Sequence, residues 1–408
     1  MRLWIDASVA TDLPVFGMSL VERHLRAAAK SGLKLASVCV DVGAGASPSL
    51  PDLSYLAAVE VSSGEGSVAR RLSKFMARGG GPTIVLDANS VVDPRLFEYA
   101  AGRDAGFVAR DRGLAFVVLD SGRHAALPEA SSVAALAEAL LAEGAIAEIG
   151  QDEFPAFIRS LRRTLPFFIL PVANERERDV AERFMFEANY KGSTDFFTKH
   201  VYPVIVWNLV RPLARLRVHP NWVTGLNVVL GIAAVPAFAA GEYLAGFLCA
   251  YAMSVLDSVD GKLARLTFTD SKLGTLLDHG LDLIHPPFWY LAWAWAVAGG
   301  RVDAPVMAAA ALLVVVYILD RLCLKAYSVN FRRGLHAHAP IDGKVRTFIA
   351  RRNINLPLFT LGIVFGLGEE AFLLIVAWQL ATLVWHFCRV GWILLLEPDG
   401  AAAAAGRA

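Results

Sequence analysis

Residues 257–282, DSVDGKLARLTFTDSKLGTLLDHGLD, place Asp257, Asp260, Asp278 and Asp282 beside or inside segments apolar enough to lie in a bilayer. A backbone without water to pair with must be helical there, and a charge in such a helix is costly. On a helix advancing ~100° per residue, Asp257, Asp260, Gly261 and Ala264 fall within roughly 100° of arc, so two carboxylates and two small residues share a face. Asp278 and Asp282, four apart, stack on one face of a second helix, with Gly274 one turn earlier. The link TFTDSKL can turn the second helix back beside the first, and all four carboxylates are then expected to converge.

Carboxylates gathered this way repel one another unless a cation sits among them, and oxygen-only ligands suit Mg²⁺ or Mn²⁺ rather than a soft metal. Small residues on the same face let a phosphorylated ligand approach the backbone. The pattern predicts a metal-phosphate site.

The spacing Asp257-x2-Asp260-Gly261-x2-Ala264-Arg265-x8-Gly274-x3-Asp278-x3-Asp282 resembles the full signature of the CDP-alcohol phosphotransferases, also called CDP-alcohol phosphatidyltransferases. These are integral membrane enzymes that move a substituted phosphate from a CDP-alcohol to a second alcohol and release CMP. The resemblance implies that Asp257, Asp260 and Asp278 hold one or two Mg²⁺ or Mn²⁺ ions. It makes Asp282 the general base for the acceptor hydroxyl, also in touch with a metal. It further implies that Gly261, Ala264 and Gly274 admit the cytidine and diphosphate, with Arg265 near the phosphates.

HPNWVTGLN is similar to the family's Pro-Asn-x-x-Thr entry to the first span, which makes Asn221 and Thr224 nucleotide contacts; a helix cap and a span start would explain the same two residues. Arg332, Arg351 and Arg352, in the basic connection at 329–353, are expected to bind a phosphate on the acceptor, although a cytoplasmic loop alone also gathers basic residues. YKGSTDFF resembles the family's Lys-x-x-Asp-Gly pattern with Phe196 in place of the glycine, which leaves a substrate role for Lys191 open. His279 and His285 are read as packing residues. A homodimer is implied by the resemblance only.

With 408 residues, 55% of them hydrophobic, and a mean hydropathy of +0.47, the chain is too apolar for an ordinary soluble protein. The long apolar runs lie after Trp222, so a soluble front and a membrane back are expected. A net charge of +1 provides no basic field for nucleic acid. Cys39, Cys249, Cys323 and Cys388 are scattered without C-x-x-C spacing, which argues against a disulfide framework or a zinc site. The start, MRLWIDASVATDLPVFG, lacks the basic and apolar regions of a signal peptide, so the front is expected to stay in the cytoplasm.

The predicted fold is multi-domain: an N-terminal α/β Rossmann-like soluble domain followed by an all-α six-helix transmembrane domain. Residues 1–173 alternate short apolar runs (RLWIDA, LKLASVCVDV, PTIVLDAN, LAFVVLD) with helical patterns, as a mostly parallel sheet covered on both faces would require. PVFGMSLVERHLRAAAKSGL and IVLDANSVVDPRLF resemble nucleotidyltransferases. The stretch after the first strand, DASVATDLP, has no glycine and no Lys or Arg to cradle a triphosphate, so this domain is expected to be inactive. Asp87 and Asp93 are either remnants of a metal site or ordinary strand-end and cap residues.

Residues 174–220 read as a charged linker and an amphipathic interfacial helix bearing Lys199, Arg211, Arg215 and Arg217. Six spans are expected within 221–396, at about 222–240, 243–265, 275–298, 305–328, 353–368 and 371–396, with Pro286-Pro287 kinking the third. A disordered cytoplasmic tail is expected at 397–408. The basic connection at 329–353 puts both termini and the aspartates on the cytoplasmic side of the cell's inner membrane.

These readings predict a transferase of substituted phosphate groups, acting in phospholipid or phosphodiester synthesis on a CDP-alcohol donor and a hydroxyl acceptor, free or phosphorylated. CDP-diacylglycerol suits a site whose acyl chains stay in membrane lipid, whereas the front domain favours a polar donor such as CDP-inositol. The rival is a catalytically degraded membrane scaffold or cation transporter. Transporters place charges near the bilayer midplane on broken helices, unlike these aspartates.

Overall fold

The computed structural model describes residues 1–9, 11–44, 58–103, 105–122, 127–158 and 160–396. Within one helix, the side chains of 272, 273, 275–279, 281 and 282 lie outside that description, and so does the expected tail at 397–408.

The front is an α/β layer. Its strands are β1 (Arg2–Asp6), β2 (Ser37–Asp41), β3 (Val59–Ser62), β4 (Thr83–Asp87), β5 (Ser90–Val92), β6 (Phe107–Asp111), β7 (Leu114–Leu119), β8 (Ala147–Glu148), β9 (Phe157–Ile158), β10 (Arg163–Thr164) and β11 (Ile169–Pro171). The helices among them are α1 (Leu20–Lys30), α2 (Val68–Ala77), α3 (Pro94–Ala101) and α4 (Val133–Ala142). Seven strands form one sheet in the order β3-β2-β1-β4-β7-β6-β8. The pairs β1–β2, β1–β4, β2–β3 and β6–β8 are parallel, as expected, while β7 runs antiparallel to both β4 and β6.

Successive side chains of a strand point to opposite faces, and both faces here are covered. Leu3 and Ile5 pack into one apolar cluster with α1 and α3, whereas Trp4 and Val85 pack into another with α2 and α4. Side-chain caps start the helices: Ser19, Ser67, Asp93 and Ser132 each accept a bond from a first-turn backbone N–H. Asp93 therefore takes the cap role, and it is also ion-paired to Arg95 at 2.6 Å.

From residue 175 the described regular structure is helical: α5 (Glu175–Ala188), α6 (Phe196–His200), α7 (Tyr202–Arg215), α8 (Pro220–Ala239), α9 (Tyr243–Thr267), α10 (Lys272–Val297), α11 (Pro305–Phe331), α12 (Pro340–Val345), α13 (Arg352–Val364) and α14 (Gly368–Leu396). Among the described residues, α8, α9, α11 and α14 are long and apolar enough to cross a membrane. Of the other two segments expected to span, α10 has 26 residues and runs unbroken through Pro286 and Pro287, while α13 has only 13.

A shared core joins the two halves. Val15, Phe16, Val91 and Leu170 of the front pack with Val206 and Val210 of α7 and with Val259 and Leu263 of α9. Glu182 of α5 is fully buried and accepts bonds from the Phe16 backbone N–H (2.9 Å) and Arg211 (2.6 Å). Arg217 pairs with Glu22 at 3.0 Å, and the buried Arg23 donates to the carbonyl of Leu266 at 2.9 Å. Three basic residues expected at the lipid interface, Arg211, Arg215 and Arg217, thus meet carboxylates of the protein itself.

Candidate active site

The aspartate stretch falls on α9, the turn after it and the first turns of α10. Phe268, in the left-handed conformation (φ 54°), ends α9, and Ser271 caps α10 by accepting from the Gly274 N–H at 2.9 Å. Sequence spacing alone predicted this helix-turn-helix.

Asp260 is buried and turns toward α8, where Thr224 Oγ1 donates to its Oδ2 at 2.8 Å. Asp257 is partly open, and its Oδ2 accepts from Nη2 of Arg352 at 2.8 Å. Asn221, at the start of α8, accepts from the Ser271 hydroxyl at 2.9 Å, and a Cβ on Gly274 would stand 3.0 Å from the same Asn221 oxygen. Gly274 therefore allows α8 and α10 to meet. Arg265 donates to the side chain of Asn189 at 3.1 Å and passes over Gly261, where a Cβ would lie 3.4 Å from Nη1.

Of these groups, Asp257, Gly261, Arg265, Asn189 and Arg352 border a cavity of about 340 Å³, whereas Asp260 is not part of its wall. One part of its wall is α9: Asp257, Ser258, Gly261, Lys262 and Arg265. Facing it are Lys191 and Asp195 from the segment after α5, Arg321 of α11, and Arg346, Arg351 and Arg352 before and at the start of α13. Asn221, Thr224, Ala264 and Gly274 stand outside this wall, the first two bonded to residues of the signature stretch. Arg332 is the exposed C-cap of α11 and is not brought to the cavity. The backbone of α10 carries Asp278 and Asp282, but their side chains lie outside the described residues, as does that of His279.

The basic side of the cavity is cation-rich enough to perturb its members. Lys191 faces the opening yet is surrounded by protein; burial, followed by the charges of Arg265, Arg162 and Arg346, brings its ammonium down to about 8. Burial also lowers Arg346, with Arg351 and Arg162 adding to the effect. Cations crowd together here at an energetic cost that a bound anion would relieve.

Several wall residues are missing from the sequence-based expectation. Lys262 adjoins Gly261 but faces away from the predicted acidic arc, with its Nζ 3.7 Å from the Tyr190 ring centroid. Arg321 lies within a long apolar segment, and this was the available signal: it is paired with the buried Asp320 at 2.7 Å, and Asp320 with His386 at 2.5 Å. Lys191 is brought to the cavity despite the Phe196 departure. Asp195, buried, caps α6 and also accepts from Asn353 at 3.2 Å, tying this segment to α13.

Among the described residues no three His, Cys, Asp or Glu side chains gather as a metal group. The donors that are described, the carboxylates of Asp257 and Asp260 three residues apart on α9, are hard oxygen ligands of the kind Mg²⁺ or Mn²⁺ takes. In this respect the residues fit such an ion.

Residues 217–385 match the family model for CDP-alcohol phosphatidyltransferase. This stretch is a CDP-alcohol phosphatidyltransferase domain. With its apolar helices, the domain makes the chain a membrane protein. The chain is 30% identical over 133 residues to the bifunctional IPC transferase and DIPP synthase of Thermococcus kodakarensis, a match covering 29% of this chain and 31% of that relative's length. Two crystal structures of the phosphatidylinositol phosphate synthase of Mycobacterium tuberculosis, with CDP-DAG bound and in apo form, align with TM-scores of 0.38 and 0.35. Each is 19% identical, and the alignments cover 46% and 45% of this chain and 93% and 94% of those chains. The CDP-alcohol phosphatidyltransferase match ends within α14 and begins just before α8, so the cavity's α9, α11 and α13 walls lie inside it.

Proposed function

We propose that this protein is a CDP-alcohol phosphotransferase that joins an acceptor hydroxyl to the alcohol-bearing phosphate of a CDP-alcohol and releases CMP. The carrying observation is the two-sided cavity, with signature residues Asp257, Gly261 and Arg265 on one wall and Lys191, Arg346 and Arg351 on the other. A donor diphosphate fits the signature wall, and an anionic acceptor fits the basic wall.

In the proposed reaction the acceptor oxygen forms a bond to the phosphorus that carries the alcohol. The bond from that phosphorus to the bridging oxygen breaks, CMP leaves with the electron pair, and the hydroxyl proton passes to Asp282 as general base. Asp257, Asp260 and Asp278 would hold Mg²⁺ or Mn²⁺, which when bound neutralises charge on the diphosphate. Thr224 orients Asp260 by hydrogen bonding, and Arg352 holds Asp257 toward the cavity. Arg265 approaches the donor phosphates, and Arg351, with Lys191 and Arg346, receives the acceptor.

The donor is read as CDP-diacylglycerol or a polar CDP-alcohol such as CDP-inositol. We assign residues 1–173 to a nucleotidyltransferase-like domain without transferase activity. In support, Arg71 is locked between Asp6 (2.9 Å) and Asp41 (2.7 Å) at the carboxyl edge of the sheet, and the glycine-free loop that follows β1 is tied down by Thr11, whose N–H donates to Asn89 at 2.8 Å. Residues 174–220 are read as the linker and interfacial helix, 221–396 as the membrane domain with its aspartates on the cytoplasmic side, and the assembly as a homodimer.

The test is CMP release by purified protein with Mg²⁺, screened across CDP-alcohols and polar acceptors. Release that requires both substrates is expected. No CMP from any CDP-alcohol would favour the scaffold or transporter reading.

A further inference from the structure

A second cavity, of about 390 Å³, opens between the front of the chain and the connection that precedes α13. Its wall includes Arg162, Ser193, Lys199, His336 and Lys344, and Thr194 borders both this cavity and the first. The residue that stands out is Arg162. It comes from the turn between β9 and β10, within the front α/β region, yet it lies within electrostatic reach of Arg346, Arg351 and Lys191.

Three observations indicate that Arg162 is placed there for a ligand. Its backbone is left-handed (φ 52°), a conformation that costs a residue with a Cβ about 1 kcal/mol or more and that turns normally give to glycine or asparagine. Its Nη1 is buried without a hydrogen-bond partner, and so are Nε of Arg346 and Oγ of Ser193. Buried donors are nearly always paired, and a guanidinium left without an acceptor is especially unfavourable. The surrounding charges also have the wrong sign: burial lowers the Arg162 guanidinium, and the charge of Arg351 lowers it further.

Residues 161–163 are hydrogen-bonded to the end of α5 and the segment after it. The Gly192 N–H donates to Leu161 O at 2.8 Å, and Arg163 donates to the carbonyls of Glu187 (3.1 Å) and Tyr190 (3.4 Å). A Cβ on Gly192 would meet the Arg162 carbonyl at 2.5 Å, so only glycine lets the hairpin sit against the segment that carries Lys191.

We propose that Arg162 of the front domain, together with Arg346 and Lys191 of the helical half, forms an anion site that binds the phosphate of a phosphorylated acceptor. The acceptor subsite is then built from both halves of the chain. This assignment rests on the function proposed above for the identity of the anion's carrier. A guanidinium fork on one side and an ammonium on the other would surround a phosphate monoester, satisfying donors that the protein alone leaves unpaired.

Inorganic phosphate serves as the probe, titrated calorimetrically into full-length protein in phosphatidylcholine discs, with CMP titrated separately to report the donor side. Arg162→Gln is expected to weaken phosphate binding about tenfold, Arg162→Lys to recover part of the loss, and neither to move CMP affinity. Unchanged CMP binding shows that the variant is folded. The proposal is overturned if wild-type protein binds no phosphate, or if Arg162→Gln binds it normally while Arg346→Gln does not. Repeating the titration in discs containing phosphatidylglycerol separates the two sources of a phosphate group: abolished phosphate binding there would assign the site to a lipid headgroup and overturn the acceptor reading. Arg162-dependent binding supports the anion site even in protein that releases no CMP from any CDP-alcohol, a result that would instead remove the function proposed above.

Discussion

Nη2 of Arg352 lies 2.8 Å from Oδ2 of Asp257, which joins the first acid of the α9 signature to the first residue of α13. The pair is only partly exposed, so its attraction is little screened, and a cation approaching Asp257 must share that oxygen with a guanidinium. Removing the arginine is expected to have two opposed effects. Arg352→Gln should lower the half-saturating Mg²⁺ concentration severalfold while reducing CMP release about tenfold or more, because Asp257 loses its orientation. Metal titration of the initial rate checks both, and a variant whose Mg²⁺ requirement rises would refute the competition.

Asp282→Asn should retain donor binding and lose roughly 10² to 10⁴ in CMP release, the usual range for loss of a general base. A rate equal to wild type with acceptor present would remove Asp282 from that role. Asp260→Asn keeps an acceptor for Thr224 Oγ1 and should fold normally. Its activity is nevertheless expected to collapse, since an amide cannot replace a carboxylate as ligand to a hard divalent ion. Circular dichroism and CMP release on the same preparation separate folding from chemistry.

Lys191 provides a pH signature. Its ammonium titrates at about 8 because burial and the charges of Arg265, Arg162 and Arg346 outweigh the attraction of Asp257. A cation whose folded value is depressed disfavours folding while it is protonated, so this contribution makes stability rise as pH climbs from about 8 toward the ordinary lysine range. Anion binding runs the other way: above pH 8 the ammonium loses its proton and phosphate affinity should fall. Lys191→Gln is expected to bind phosphate more weakly below pH 8 and to flatten that fall. Calorimetric titrations between pH 7 and pH 9 give the profile, and an unchanged slope in the variant would exclude Lys191.

The joint between the halves should be fragile at Glu182 and at Gly17. Glu182→Ala leaves the buried Phe16 N–H without its acceptor and Arg211 with Asp179 as its remaining partner; a loss of about 1–3 kcal/mol is expected, read as a lower melting temperature. Gly17 has φ 73°, and a Cβ there would lie 2.3 Å from the carbonyl of Ala214 in α7. Gly17→Ala should therefore loosen the front from α7, and limited proteolysis of the variant should release the two halves at a protease dose that leaves wild type intact.

The aspartate spacing was enough to place Asp257 and Asp260 on one helix, because helical periodicity is a local property, whereas the approach of Gly274 to Asn221 appeared only with the packing of α10 on α8. Alternation of apolar runs with helical patterns likewise indicated a sheet covered on both faces. It did not reveal that β7 turns back antiparallel between β4 and β6, since the direction of a strand is set by its connections and not by its own residues.

The amino-acid sequence by itself determined the signature face of α9, from which Asp257, Gly261 and Arg265 line the cavity at helical spacing. Only the tertiary structure decided the basic wall. Arg162, Lys191, Arg321, Arg346 and Arg351 are scattered over 190 residues of chain and share no period; Arg351 was expected at the acceptor and Arg321 stands out by its apolar segment, but nothing in the sequence groups the five. They come to border two adjoining cavities because the shared core around Phe16, Val206 and Val259 holds the front against the helices, and because Gly192 lets the β9–β10 turn close on the segment beside Lys191. Contacts between residues so distant in sequence depend on the packing of whole elements, which no local pattern encodes.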